Sequence, residues 1–175
     1  MLCRRLSAFA AVACLSVGTL GSPKSHSSIE RRSAQEVIER LGLEPNVEKG
    51  YYVETFEDPD RNSNNRSAST AIYYLLEGPD GPSTWHRVDA TEVWHHYAGA
   101  PLTLSLSEDN GEPVRNVVLG PDIFDNQQPQ VVVAKNQWQR AASHGRWTLV
   151  GTTVAPGFSV NGFQLAEPDW VPKGA

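Results

Sequence analysis

The sequence predicts an all-β sandwich or barrel preceded by one short helix. Two observations predict this class. Beyond residue 50 the chain divides into about eight short runs rich in Val, Ile, Thr and aromatic residues, and turn-forming residues separate them. With 175 residues, of which 39% are hydrophobic and 20% charged, the chain has the composition of one ordinary globular domain.

A secretory signal peptide is predicted over residues 1–21. Two arginines precede an apolar run from Leu6 to Leu20, and small residues follow where signal peptidase could cut. The run is shorter than the ~20 apolar residues that a bilayer span needs, which disfavours a membrane anchor. Both cysteines, Cys3 and Cys14, fall in this segment, so the exported chain has neither disulfide nor thiolate chemistry.

Residues 22–32 are interpreted as a polar linker or a propeptide. The pair Arg31-Arg32 is of the kind that processing proteases cleave, although two arginines in a polar linker are also commonplace. The remaining residues, 33–175, form a single domain with 10 Lys and Arg against 19 Asp and Glu, a net charge of −9. Because phosphate binding relies on clustered Lys and Arg, we expect no nucleic acid partner. We expect a secreted protein without membrane attachment after processing.

The one helix is predicted over residues 34–41. Ser33 and Glu36 have the spacing of a capping box, in which each side chain binds the other's backbone N–H. Apolar residues then recur on one face, and Gly42 stands where helices commonly end.

The strands are predicted from the apolar runs that follow this helix. Turns such as Gly78–Gly81 and Asp109–Gly111 separate them. The predicted strands cover residues 51–56, 69–77, 92–98, 102–107, 114–120, 130–134, 147–155 and 162–166. Short strands at this spacing are typical of an all-β sandwich or barrel.

The run "DPDRNSNNRS" indicates an exposed loop between the first two predicted strands. It contains Asn65-Arg66-Ser67, the acceptor sequence for N-glycosylation. We therefore expect Asn65 to be glycosylated in a eukaryotic secretory route.

The stretch "TWHRVDATEVWHHYAG" (84–99) concentrates histidines, tryptophans and carboxylates. His86, Glu92 and Gly99 have the spacing of part of the first cupin motif, and "QVVVAKNQWQRA" (130–141) resembles the second. With "GYYVET" (50–55), "STAIYYLL" (69–76) and "TLVGTTVAPGF" (148–158), the likeness spans about residues 34–166. The chain resembles a small single-domain cupin family of uncharacterised function. This resemblance implies a double-stranded β-helix, or jelly-roll barrel, and a homodimer.

The cupin metal ligands are only partly present. The resemblance implies a second histidine where this chain has Val88, and a histidine of the second motif where it has Gln139. Two nitrogen ligands of the usual set are therefore absent.

Strand periodicity suggests what lines the interior. If Glu92 points inward, Trp94 and His96 do so too, because side chains alternate along a strand. His86, Glu92, His96 and Gln139 are then expected around one cavity. Two imidazoles and one carboxylate form a plausible site for a divalent metal. The alternative is a metal-free site in which a histidine and a carboxylate form an acid–base or structural pair.

Aromatic and acidic residues of the first two predicted strands are further ligand-binding candidates. Tyr52 and Glu54 share one strand face, and Tyr74 lies on a face with Thr70 and Ile72. These side chains could reach the cavity. Equally, the aromatic rings could belong to the core and Glu54 to the solvated surface.

These residues suggest an enzyme acting on a carbonyl-bearing or carbohydrate-like molecule. One histidine and one carboxylate can remove and return a proton beside a carbonyl, as in isomerases, epimerases and some lyases, without a cofactor. His86 is the expected base, and Glu92 orients it or acts as the acid. Two alternatives stay open: a metal-dependent oxygenase completed by His96, and a ligand-binding protein without catalysis.

Overall fold

The structure is a computed structural model that describes residues 29–175, so the predicted signal peptide lies outside the described residues. Helix α1 spans Ala34–Leu41. The strands are β1 Glu44–Pro45, β2 Tyr51–Glu57, β3 Thr70–Glu77, β4 His86–Val88, β5 Thr91–Gly99, β6 Leu102–Ser107, β7 Arg115–Leu119, β8 Gln130–Val133, β9 Trp138–Ser143, β10 Trp147–Ala155 and β11 Phe163–Leu165. Residues 29–175 form no helix that is long and apolar enough to cross a membrane.

The strands form two antiparallel sheets. The first has the order β1-β2-β3-β10-β5-β8, and the second has the order β11-β4-β9-β6-β7. Their inner faces pack together, with Leu76 and Trp94 of the first sheet in one cluster with Leu104 and Leu119 of the second. The predicted all-β class is confirmed, but the two sheets are not closed into a continuous barrel.

Helix α1 packs on the outer face of the first sheet. Ser33 caps it, and the reciprocal bonds of the predicted capping box with Glu36 are both present. Strand β3 alternates accordingly, since Leu75 packs against the helix while Leu76 packs between the sheets. The helix therefore covers the face of the first sheet that lies opposite the interior.

The chain before the helix is docked on the same outer surface. The indole nitrogen of Trp147 donates to the carbonyl oxygen of Arg32 at 3.0 Å. The carboxylate of Glu30 accepts from the backbone N–H of Gly99 at 3.0 Å.

Three strands are not among the sequence predictions. Strand β1 has two residues and β4 three, while β9 reads WQRAAS and has no β-branched residue. Pairing of β4 with β9 places His86 opposite Gln139. The two cupin-motif segments therefore meet through strands that local sequence pattern does not show.

Candidate functional site

A cavity of about 570 Å³ lies between the sheets. Strands β2, β3, β5 and β10 of the first sheet and β4 and β11 of the second contribute to its lining. Six of the residues selected from the sequence line it: Tyr52, Glu54, Tyr74, His86, Glu92 and Trp94. Most residues expected at the site are thus brought to one cavity.

Beside this cavity Gln139 connects Trp94 to Glu92. The indole nitrogen of Trp94 donates to Oε1 of Gln139 at 2.9 Å, and Nε2 of Gln139 donates to Oε2 of Glu92. Gln139 is completely buried. An indole N–H can only donate, so it requires the amide oxygen on its side. The amide NH₂ must therefore face Glu92.

The pKa of the buried carboxyl group of Glu92 is subject to opposing effects. Burial raises its pKa above the ordinary value, and this effect exceeds the lowering by the charge of His86 and by hydrogen bonds from Gln139 and Thr152. The raised pKa favours the protonated, uncharged form of Glu92. Strand pairing explains the position of Thr152, since β10 sets it opposite Trp94, the next inward residue of β5.

His86 is held in one tautomer. Its Nδ1 lies 3.0 Å from the carbonyl oxygen of Thr84, which can only accept, so Nδ1 carries the hydrogen. Its Nε2 is left with a lone pair. Burial lowers the pKa of His86 although the negative charge of Glu92 raises it. The ring is therefore neutral at physiological pH, with a basic nitrogen toward the cavity residues.

Glu48 is a member of the site that the sequence analysis missed. Its Oε2 lies 3.4 Å from Nε2 of His86, and it lines the same cavity. Burial raises its pKa to about 8, so it is mostly protonated at pH 7. The pair is consequently a carboxylic acid beside a neutral imidazole, rather than an ion pair.

A tight loop between β1 and β2 presents Glu48. The N–H of Asn46 donates to the carbonyl oxygen of Gly50 at 2.9 Å, and Lys49 and Gly50 both have left-handed backbones, with φ of 80° and 69°. The carbonyl of Glu48 also accepts from the N–H of Thr84 at 3.0 Å. Glu48 and His86 are therefore fixed relative to each other through Thr84.

The residues from β2 and β3 occupy different depths. Tyr52 and Glu54 are exposed at the mouth of the cavity, whereas Tyr74 is buried. The hydroxyl of Tyr74 donates to the carbonyl of Lys49 at 3.0 Å, and its ring meets Trp94 edge to face. Burial holds the pKa of Tyr74 well above its usual value. Tyr74 therefore contributes an aromatic wall and supports the loop that carries Glu48.

His96 is not brought to the cavity. It pairs with Val150 on the inward face of the first sheet, as the alternation predicts. It lies four residues beyond Glu92, however, which corresponds to about 13 Å along a strand. Its Nε2 donates to the carbonyl oxygen of Ala100 at 3.3 Å. The predicted face is right, but the side chain lies too far along the strand to join His86 and Glu92.

The side chains present do not fit a cupin metal centre. Val88 lines the cavity where a ligand would be needed, and Gln139 turns its NH₂ group, which cannot bind a cation, toward Glu92. Within residues 29–175, no group of three or more His, Cys, Asp and Glu side chains is arranged to hold a metal ion.

Several further lining residues were not selected from the sequence, among them Glu48, Thr152, Phe158 and Phe163. Thr152 could have been found by extending the alternation along β10. Glu48 could not, because it lies in a turn where no periodicity indicates the direction of a side chain.

Residues 35–166 match the model of the family described as Cupin superfamily (DUF985). Of the curated proteins, none matches the sequence significantly. A protein of known crystal structure from Shewanella oneidensis is 31% identical, with a TM-score of 0.73 over 78% of this chain and 85% of that one. A hypothetical protein from Leishmania major is 27% identical, with a TM-score of 0.69 over 76% of this chain and 86% of that one.

Oxalate decarboxylase from Bacillus subtilis is also similar in structure. It is 11% identical, with a TM-score of 0.52, and the match covers 71% of this chain but 30% of that enzyme. At this identity the likeness shows a shared fold alone.

Proposed function

Because this chain belongs to the family described as Cupin superfamily (DUF985), we propose that its cavity binds a small molecule. The side chains of the cavity then transfer a proton from one atom of that molecule to another without a metal. The observation that carries the proposal is that His86, Glu92 and Glu48 line one cavity. The proposed substrate is carbonyl-bearing or carbohydrate-like, because a proton beside a carbonyl is the kind that an imidazole can remove.

The proposed roles follow from the hydrogen bonds. Nε2 of His86 has a lone pair, and its opposite nitrogen is anchored on Thr84, so His86 acts as the base. Glu92 acts as the acid, oriented by the amide of Gln139. A proton that His86 takes from a carbon atom can then be balanced by one that Glu92 donates to the carbonyl oxygen.

Isotope exchange tests this proposal. The protein is incubated in D₂O with a panel of aldoses, ketoses and hydroxyketones, and NMR follows the loss of the proton next to the carbonyl. His86→Ala and Glu92→Gln should each slow exchange about 10²- to 10⁴-fold with a smaller loss of binding. His95→Ala, on an outward position of β5, is the matched control and should leave exchange unchanged.

Ligand binding without catalysis is the second candidate. The hydrogen bonds that Glu92 accepts from Gln139 and Thr152 favour this candidate, because they hold the carboxyl group in its present position. A compound that binds in the cavity but shows no exchange above the His86→Ala background would support this candidate and contradict proton transfer.

A further inference from the structure

We infer that the cavity selects a small molecule that carries a protonated amine, an inference that rests on the proposed small-molecule function of the same cavity. Three of its described lining residues are glutamates, namely Glu48, Glu54 and Glu92, and none is Lys or Arg. A ligand with a positive charge meets the exposed carboxyl group of Glu54 at the mouth and two carboxyl groups that can ionise in the interior, whereas an anion meets no Lys or Arg among these lining residues.

The walls of the cavity favour the same ligand. Aromatic rings line it at several depths: Tyr52, Tyr74, Trp94, Phe158 and Phe163. The faces of such rings attract cations, and the attraction grows when the cation leaves water. Carboxyl groups beside aromatic faces therefore favour an ammonium group attached to an apolar body.

Two cationic side chains from the neighbouring loops, those of Lys49 and Arg66, bind groups other than the carboxyl groups of the cavity. Lys49 follows Glu48 directly, but its Nζ donates to the carbonyl oxygen of Asp80 at 3.0 Å. Arg66, from the β2–β3 loop, makes two hydrogen bonds to the carboxylate of Asp89. The carboxyl groups of the cavity are thus not compensated by these two side chains.

The protonation of Glu48 is compatible with a cationic ligand. Its pKa of about 8 lies close to neutral pH, so a nearby positive charge can shift the group to the ionised form. An ammonium group bound beside Glu48 therefore favours loss of the carboxyl proton and pairs with the resulting carboxylate. His86, already neutral because burial lowers its pKa, adds no repulsion.

Three matched probes test the inference: cyclohexylammonium, cyclohexanol and cyclohexanecarboxylate share one ring and differ in charge. Calorimetric titration of the purified protein at pH 7 should give the tightest binding for the ammonium compound, by about tenfold over the alcohol. The carboxylate should bind more weakly than the alcohol. Glu48→Gln and the exposed Glu54→Gln should each reduce the preference for ammonium over alcohol, whereas Glu112→Gln, in the β6–β7 loop, should not.

The outcomes separate this inference from the proposed function. Equal binding of alcohol and ammonium, or tighter binding of the carboxylate, overturns the amine inference and leaves the small-molecule site intact. Absence of binding by all three probes at millimolar concentration also overturns the amine inference, whereas the proposed proton transfer is decided separately by the isotope-exchange experiment. Since Glu54 is exposed, its variant keeps the test valid if Glu48→Gln fails to fold.

Discussion

The indole nitrogen of Trp94 lies 2.9 Å from Oε1 of Gln139, and this contact determines which end of the amide faces Glu92. The NH₂ group of Gln139 therefore donates to the carboxyl group. Where the family resemblance implies a metal-binding histidine, this chain has a hydrogen-bond donor that orients a carboxylate.

Gln139→Glu should make folding stability depend on pH. A second buried carboxyl group beside Glu92 raises the pKa of the pair, so its stability is retained at low pH and lost as pH rises through the raised values. We expect a loss of about 3 kcal/mol at pH 7 and less at pH 5, measured by urea unfolding. Gln130→Glu, at an exposed position of β8, is the control. A pH-independent loss would contradict the network.

The double variant Val88→His, Gln139→His should bind a divalent metal. Both positions adjoin the cavity that His86 and Glu92 line, and imidazoles there supply the nitrogen ligands that are absent. We expect stoichiometric metal by elemental analysis after dialysis against Mn²⁺ or Zn²⁺. Val88→His alone, with one fewer ligand, should retain less. Stoichiometric metal in the unaltered protein after treatment with a chelator would contradict the donor-set argument.

Glu48→Gln should stabilise the protein at alkaline pH. The folded pKa of Glu48, about 8, lies above the unfolded value. The contribution of protonated Glu48 to the free energy of unfolding is therefore complete at pH 4, and it is lost as pH rises toward and through 8. Relative to the unaltered protein, the glutamine variant should gain about 2–4 kcal/mol between pH 4 and pH 9 in unfolding experiments. Parallel pH profiles for the two proteins would show that Glu48 is not protonated in the fold.

The loop that carries Glu48 should tolerate glycine at 49 but not alanine at 50. A Cβ at Gly50 would lie 2.5 Å from the carbonyl oxygen of Leu75 on a left-handed backbone, so Gly50→Ala should cost about 2–3 kcal/mol. Lys49→Gly relieves a left-handed lysine, a gain of up to about 1 kcal/mol, and loses the contact with Asp80. Thermal unfolding compares them. A gain in stability for Gly50→Ala would contradict this loop geometry.

Glycosylation of Asn65 and secretion remain predictions. Asn65 is exposed, but the hydroxyl of Ser67 is buried and donates to backbone carbonyls. Since an acceptor sequence must be accessible to be modified, we expect the glycan to be added before this loop folds. Expression in a eukaryotic host should give a mass shift that Asn65→Gln and glycosidase both remove. No shift would contradict the prediction.

Sequence reasoning succeeded where a short segment carries its own signal. The capping box of Ser33 and Glu36 defines helix α1, and alternation along β5 places Glu92 and Trp94 on the inward face. It failed for His96, because periodicity specifies a face and not a distance along the strand. Nor does the sequence reveal that the register of β10 against β5 shifts between Leu149 and Val150, beyond which Ala98 lies in the cluster around the helix. No local pattern predicts such a bulge.

The docking of the chain before helix α1 has a consequence for maturation. Residues Ile29–Arg31 form a helical turn, and the carbonyl of Arg32 is bound by Trp147. A protease that acts at Arg31-Arg32 must first release this segment, so cleavage of the folded protein depends on the free energy of local opening. If residues 22–32 are a propeptide rather than a linker, we expect its removal to be fast on the nascent chain and slow once the helix has docked. The order of folding and trimming would then decide whether the secreted protein begins before or after Ser33.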